Sequence, residues 1–243
     1  LNLALGVVRH ILNLAASEWI DANNLTWLPS PPKIKLLPVT DARQPYPLSW
    51  EEQERLFREL PPHLARMALF KVNTGTREKE VCDLRWEWEV PVRELDTSVF
   101  IIPSDRVKNG DERLVVLNRV ARSVIDEVRG EHPEYVFTFR GHPINGMNNT
   151  AWQSARKRAD LVQVRVHDMK HTFGRRLRAA GVSYEDRQDL LGHRSGRITT
   201  HYSAVELQNL IDAANRVCGE DSRKSPALVL LKQKAVRHGA VTA

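Results

Sequence analysis

The side chains of this sequence that are best suited to chemistry lie in four short segments. Three of them carry basic side chains, and the fourth runs from a Leu-Gly-His triplet to a tyrosine; they are residues 74–80, 107–110, 167–171 and 191–202. Arg77 presents a planar guanidinium that can bind two oxygens of a phosphate, and it follows Gly75 at the expected start of a helix, where anions bind favourably. Lys108 lies in a turn, where an ammonium next to a phosphate can deliver a proton. A tyrosine hydroxyl can act as a nucleophile that forms a covalent intermediate.

Helix periodicity and capping residues predict a mostly helical chain around these segments. Ser49 and Glu52 form an S-x-x-E capping box. Gly75 and Gly181 each end a helix, and Gly192 closes a short one. Helices are therefore expected at about residues 1–20, 49–60, 62–73, 77–86, 118–129, 148–160, 168–180, 183–192 and 204–217.

Two short apolar runs interrupt this helical pattern. Residues 99–102 and 114–117 are joined by a stretch that contains Asn109 and Gly110, which predicts a β-hairpin with Lys108 near its tip. The fold class is therefore mixed α+β, mostly helical, with a small antiparallel sheet. Such an architecture does not by itself define a function.

Taken in order, the four segments resemble the catalytic motifs of the tyrosine recombinases, the phage-integrase family. The family pattern is an arginine after T-G-x, a lysine in a β-hairpin, H-x-x-R-H, L-G-H, and a tyrosine about nine residues further on. In this sequence the pattern falls on Arg77, Lys108, His167, His193 and Tyr202. The resemblance implies a site-specific DNA recombinase, an integrase, that cleaves and rejoins DNA through a 3′-phosphotyrosine intermediate.

The resemblance also implies a role for each catalytic residue. Tyr202 is the nucleophile, and Lys108 protonates the departing 5′ oxygen. Arg77, His167 and His193 donate hydrogen bonds to the phosphate, whose oxygens gain charge in the transition state. His167 is also expected to assist in taking the tyrosine proton.

Glu80 lies one helical turn after Arg77. We expect it to orient Arg77 or a neighbouring basic residue without touching the DNA. The alternative is an ordinary surface glutamate.

One position departs from the family pattern, because Lys170 stands where the second arginine is expected. A lysine keeps the positive charge but lacks the bidentate fork of arginine. Losing one preorganised donor can slow a reaction by about 10²–10³. Three accounts follow: an active enzyme with a native lysine, a weakened or inactive relative that only binds DNA, or a deliberate substitution that slows the reaction.

Two other enzyme classes share parts of the pattern. His167 and His171 are spaced like the zinc ligands of H-E-x-x-H, but Asp168 replaces the glutamate and has a shorter side chain. A type IB topoisomerase would share the catalytic residues, and relaxation of supercoils without joining of two partner sites would identify it. The L-G-H motif and the short chain favour the recombinase.

The resemblance and the proline content predict the domain organisation. The stretch between residues 28 and 47 is rich in proline, which is typical of an extended linker. The chain starts with Leu1 and not Met, so we expect it to begin inside a larger protein. The expected parts are a C-terminal fragment of a helical core-binding domain (1–28), a linker (29–47), the catalytic domain (48–217) and a basic tail that is a docking helix or disordered (218–243).

Composition is consistent with a nucleic-acid partner. The net charge of +6 and the pI of about 9.5 favour a polyanion. Cys82 and Cys218 are far apart, which argues against a disulfide scaffold and favours a reducing cytoplasm. No apolar run approaches the roughly 18 residues of a membrane span.

The expected partners and location follow from the resemblance. We expect double-stranded DNA bound by a homotetramer, one dimer per site, with accessory DNA-bending proteins as further partners. No metal or nucleotide cofactor and no membrane is expected. A cytoplasmic protein of bacterial, phage or mobile-element origin fits these expectations.

Overall fold

The computed structural model describes residues 1–38, 43–192 and 202–218. The chain separates into two compact units, Leu1–Gln44 and the part from Pro45 onward. The first unit contains helix α1 (Asn2–Ser17), followed by a turn in which Trp19 and Trp27 pack edge to face. The proline-rich stretch from 29 to 38 forms no helix or strand. The assignment of these units to a core-binding fragment, a linker and a catalytic domain stays a prediction.

The second unit is mostly helical, as the sequence predicts. Its helices are α2 (Trp50–Glu59), α3 (Pro62–Thr74), α4 (Glu78–Cys82), α5 (Arg119–Val128), α6 (Thr150–Arg158), α7 (Asp168–Ala179), α8 (Tyr184–Leu191) and α9 (Ala204–Asn215). Ser49 and Glu52 form the expected capping box at the start of α2. Gly75 and Gly192 end α3 and α8 in the left-handed conformation, with φ of 64° and 58°, which glycine adopts without steric strain.

The expected hairpin is part of a three-stranded antiparallel sheet in the order β1-β2-β3. Its strands are β1 (Glu89–Val92), β2 (Thr97–Ile102) and β3 (Arg113–Val116). The sequence analysis missed β1, whose four residues include Pro91 and form the edge of the sheet. It also missed a second, two-stranded sheet of β4 (Thr138–Phe139) and β5 (His142–Pro143), which is too short to give a periodic signal.

The helix predicted over residues 77–86 is shorter than expected, because α4 ends at Cys82. After it, the backbone of Leu84 accepts a hydrogen bond from Val136, and the backbone N–H of Trp86 donates to Glu134. These contacts join segments about fifty residues apart. Long-range pairing therefore replaces the local helical hydrogen bonds after Cys82.

Two clusters of buried apolar residues lie on either side of the sheet. Phe100 and Ile102 of β2 belong to the larger cluster and Val99 to the smaller one, since successive residues of a strand point to opposite faces. Helix α7 also contributes to both clusters, through Met169 on one side and Phe173 on the other. A helix packed on two sides provides a rigid base for the polar side chains near its start.

Candidate active site

Arg77 is fixed at the start of α4, where it occupies the N-cap position. Its Nη1 atom donates to Oε1 of Glu80 at 2.7 Å, and its backbone N–H donates to Oε2 of the same carboxylate at 2.7 Å. About a fifth of the Arg77 side chain is exposed, whereas Glu80 is buried. Burial raises the pKa of Glu80, but the Arg113 guanidinium and the hydrogen bonds from Arg77 outweigh it and hold the pKa below its usual value. Glu80 therefore binds both the guanidinium and the backbone N–H of Arg77, and it is not a surface glutamate.

The hairpin between β2 and β3 reaches Arg77. Asn109, near the tip of this hairpin, accepts a hydrogen bond from Nη2 of Arg77 at 3.2 Å through its Oδ1 atom. Lys108 is the preceding residue, and its side chain is exposed. The structure therefore brings the hairpin that carries Lys108 next to Arg77.

His167 lies at the start of α7, with its ring 4.7 Å from that of His171 in an edge-to-face arrangement. Its side chain remains exposed. Partial desolvation and then the nearby His171, Lys71 and Lys170 lower the pKa of His167 to about 4. The imidazole is therefore neutral at pH 7 and can accept a proton or a hydrogen bond.

Lys170 is buried, with only 5% of its surface exposed. Its Nζ atom donates to the carbonyl oxygen of Gly75 at 3.0 Å and also to the carbonyl oxygen of Leu191. Burial, followed by the charge of Arg113, lowers the pKa of Lys170 to about 6. Lys170 therefore connects three of the four segments through direct hydrogen bonds.

Sequence reasoning missed two further buried basic side chains, those of Arg113 and Lys71. Arg113 at the start of β3 donates to the carbonyl oxygens of Gly75 at 3.1 Å and Leu191 at 2.9 Å. It also forms an ion pair with Glu80 at 3.2 Å. Lys71, on the buried face of α3, donates to the carbonyl oxygen of Thr76. A single charged residue within an apolar helix or strand was the available sequence signal, since such residues are rarely buried without a partner.

Tyr202 is half-buried and packs against the smaller apolar cluster, as Leu191 also does. It directly precedes Ser203, whose side chain forms a capping box with Glu206 at the start of α9. This position places the tyrosine at the beginning of a well-defined helix. His193 lies outside the described residues, as do the residues of the tail from 219 onward.

The arrangement suits the recognition of one phosphate. Arg77 is a partly exposed guanidinium that is ion-paired with a buried carboxylate, and it bonds to the hairpin that carries the exposed Lys108. Among the described residues, no three His, Cys, Asp or Glu side chains are grouped as metal ligands. None of the helices in the described part of the chain is long and apolar enough to cross a membrane.

Comparison with known proteins defines the class to which this fold and site belong. The model of the phage integrase family matches residues 48–209. The integrase of Salmonella phage P22 is 26% identical over 226 residues, which cover 88% of this chain and 56% of that protein. The chain spans little more than half the length of the curated relatives it matches.

Solved structures confirm the fold. The integrase from mycobacterium phage Brujita superposes on this chain with a TM-score of 0.57 at 19% identity. The superposition covers 94% of this chain and 75% of the Brujita chain. A lambda integrase tetramer bound to a Holliday junction gives a TM-score of 0.54 at 16% identity, over 84% of this chain and 60% of that chain. The fold is that of the phage integrases. This chain belongs to the phage integrase family, as the order of its motifs predicts.

Proposed function

We propose that this chain is the catalytic part of a site-specific DNA recombinase, an integrase, that cleaves and rejoins DNA through a 3′-phosphotyrosine at Tyr202. The observation that carries the proposal is the direct contact between its motifs. Arg77 bonds to Asn109 of the hairpin, and Lys170 bonds to the backbone carbonyls of Gly75 and Leu191. Membership of the phage integrase family supports the same activity.

Cleavage exchanges one phosphodiester for another. The phenolic oxygen of Tyr202 attacks the phosphorus, and the bond from phosphorus to the 5′ oxygen breaks. The phosphate remains on the 3′ end of the DNA and is now joined to Tyr202. The 5′ oxygen leaves as a hydroxyl with a proton from Lys108, and the phenolic proton passes to His167.

The cations of the site stabilise the transition state of this exchange. Negative charge increases on the non-bridging oxygens, and donors that are already in place stabilise it most effectively. Arg77 supplies the bidentate donor, because Glu80 and Asn109 fix the orientation of its guanidinium. His193 is proposed as a further donor to the same phosphate.

The low pKa of His167 fits its proposed role. Desolvation and positive neighbours favour the neutral ring in the free protein. A bound phosphate adds negative charge and raises the affinity of the ring for a proton. His167 therefore becomes a better base when the substrate is present.

Rejoining reverses these steps. A 5′ hydroxyl from a partner strand attacks the phosphotyrosine, and the phenolate leaves and regains its proton. Because the phosphotyrosine keeps the energy of the broken bond, the reaction requires no nucleotide cofactor.

We infer that the substrate is double-stranded DNA, held by a homotetramer with one dimer on each site. The basic composition supports DNA binding, and the similar lambda integrase forms a tetramer on a Holliday junction. Accessory DNA-bending proteins, a cytoplasmic location and a mobile-element origin complete the proposal. Because phosphate contacts dominate such binding, affinity should fall steeply as the salt concentration rises.

The direct test is formation of a covalent protein–DNA complex on a nicked suicide substrate drawn from a library of sites. The chain should give a band that survives denaturation, and Tyr202→Phe should give none, because only the hydroxyl can form the bond. Tyr184→Phe is the matched control, since Tyr184 is an exposed tyrosine on α8. The covalent band of Tyr184→Phe should be as intense as that of the unmodified chain. A covalent band that persists in Tyr202→Phe would refute the assignment of the nucleophile.

A further inference from the structure

The loop that precedes Arg77 is held from the protein interior by three buried basic side chains. Its successive carbonyl oxygens, on Thr74, Gly75 and Thr76, all accept hydrogen bonds from buried basic side chains. Arg113 donates to Thr74 at 3.4 Å and to Gly75 at 3.1 Å; Lys170 donates to Gly75 at 3.0 Å; Lys71 donates to Thr76. We call Lys71, Arg113 and Lys170 the buried basic cluster.

The same cluster also fixes the end of α8. The carbonyl oxygen of Leu191 accepts from Nη1 of Arg113 at 2.9 Å and from Nζ of Lys170. Two of these three basic side chains, Arg113 and Lys170, therefore join the end of α3 to the end of α8. These two helix ends carry the T-G-x-R and L-G-H motifs of the sequence.

Burial separates the cluster from the place where a DNA phosphate can bind. Lys71, Arg113 and Lys170 are exposed by 0%, 2% and 5%, whereas the Arg77 side chain is exposed by 20%. Backbone carbonyl oxygens accept hydrogen bonds from the Lys170 Nζ atom, so that this lysine is oriented towards the backbone.

We propose that Lys170, together with Lys71 and Arg113, is a positioning residue that fixes residues 74–77 and thereby presents Arg77 to the phosphate. This inference rests on the proposed recombinase function. It gives the lysine that replaces the second family arginine a role without direct contact to DNA. It also adds Lys71 and Arg113, which no motif identifies, to the residues on which cleavage depends.

The test measures the effect of substituting each basic residue on two substrates, one of which lacks the charge of the scissile phosphate. Single-turnover cleavage is measured on a nicked substrate with a normal scissile phosphate and on one with a methylphosphonate, in which a methyl group replaces a charged oxygen. If a residue neutralises the phosphate, its substitution slows cleavage of the methylphosphonate less than it slows cleavage of the normal substrate. If a residue only holds the protein backbone in place, its substitution slows cleavage of both substrates by the same factor.

We expect Lys170→Met and Lys71→Met to slow cleavage by about 10- to 100-fold, the usual effect of removing supporting residues around a site, and by the same factor on both substrates. The loss in Arg77→Met should be smaller on the methylphosphonate than on the phosphate. Lys170→Arg keeps donors for both carbonyls and should recover most of the rate that is lost in Lys170→Met. Lys79→Met, which removes an exposed lysine from neighbouring α4, is the control for a lost charge.

A second measurement is independent of cleavage. Amide hydrogen exchange over residues 74–77 should accelerate in Lys170→Met and Lys71→Met and remain unchanged in Lys79→Met. The proposal would be overturned if the loss of cleavage rate in Lys170→Met became smaller on the methylphosphonate by as much as the loss in Arg77→Met does. Unchanged amide hydrogen exchange over residues 74–77 would also overturn it. If the unmodified chain forms no covalent complex, the recombinase function fails while hydrogen exchange still decides the positioning role.

Discussion

The loop that carries Arg77 and the hairpin that carries Lys108 are held in different ways. Thr74 and Thr76 are buried, and the backbone carbonyl oxygens of the loop accept hydrogen bonds from buried basic side chains. The tip of the hairpin is largely exposed, and Asn109 links it to Arg77. A donor that stabilises transition-state charge must be fixed in advance, whereas a proton donor can be carried by an exposed turn that adapts to the DNA. The comparison suggests that the two residues serve different parts of one reaction.

The largest expected effect tests Lys108 as the proton donor. Lys108→Met should slow cleavage by about 10²–10⁴, the usual contribution of general acid catalysis. The defect should nearly disappear on a substrate whose 5′ oxygen is replaced by sulfur, because a thiolate leaves without a proton. Single-turnover cleavage of both substrates measures this. An equal defect on both would assign Lys108 to DNA binding.

A smaller effect is expected at Arg77. Arg77→Met should lower the cleavage rate by about 10²–10³ through the loss of a charged donor, while DNA affinity changes little. Asn109→Ala removes the bond between the loop and the hairpin and should reduce the rate far less. If Asn109→Ala is as damaging as Arg77→Met, the loop and the hairpin act as one rigid unit and the comparison above is wrong.

The next prediction concerns stability and uses two glycines with positive φ. A Cβ atom at Gly75 would lie 2.8 Å from Phe173 and 2.9 Å from Leu191, whereas one at Gly110 meets nothing within 4 Å. Gly75→Ala should lower the free energy of unfolding by about 2–4 kcal/mol through backbone strain and overpacking. Gly110→Ala should lower it by about 1 kcal/mol through strain alone. Urea denaturation measures both, and equal values would show that the packing around Gly75 can relax.

The last prediction is a dependence of stability on pH. Burial lowers the pKa of Lys71 to about 7 and that of Lys170 to about 6 in the folded chain, far below the value of an unfolded lysine. Between the low pKa of a lysine in the folded chain and its ordinary pKa in the unfolded chain, the unfolded chain binds more protons than the folded chain. The free energy of unfolding therefore rises with pH in this range, by at most about 1.4 kcal/mol per pH unit for each lysine.

Urea denaturation between pH 6 and pH 9 checks the sign of this dependence. The unmodified chain should gain stability relative to Lys71→Met as the pH rises, because the variant lacks one of the titrating groups. It should gain nothing relative to Lys79→Met, since Lys79 is exposed. A constant difference between the unmodified chain and Lys71→Met would show that Lys71 stays charged in the folded protein.

Local signals in the sequence predicted most helices and the central hairpin. Ser49 and Glu52 do cap α2, and Gly75 does end α3, because capping depends on residues within one turn. The edge strand β1, the small second sheet and the early end of α4 were not predicted. Each depends on pairing between distant segments, such as Val136 with Leu84, which local periodicity does not encode.

The sequence alone determined the order and spacing of the motif residues, because family catalysis requires those residue types in that order, and the family assignment based on them is confirmed. The tertiary structure decided which buried groups support them. Lys71, Arg113 and Lys170 come from α3, β3 and α7 and converge on the loop before Arg77. A buried hydrogen-bond donor must find acceptors, and folding supplies them here as backbone carbonyls of loops and helix ends. Those partners are remote in sequence, so only the folded chain shows that Lys170 binds the backbone.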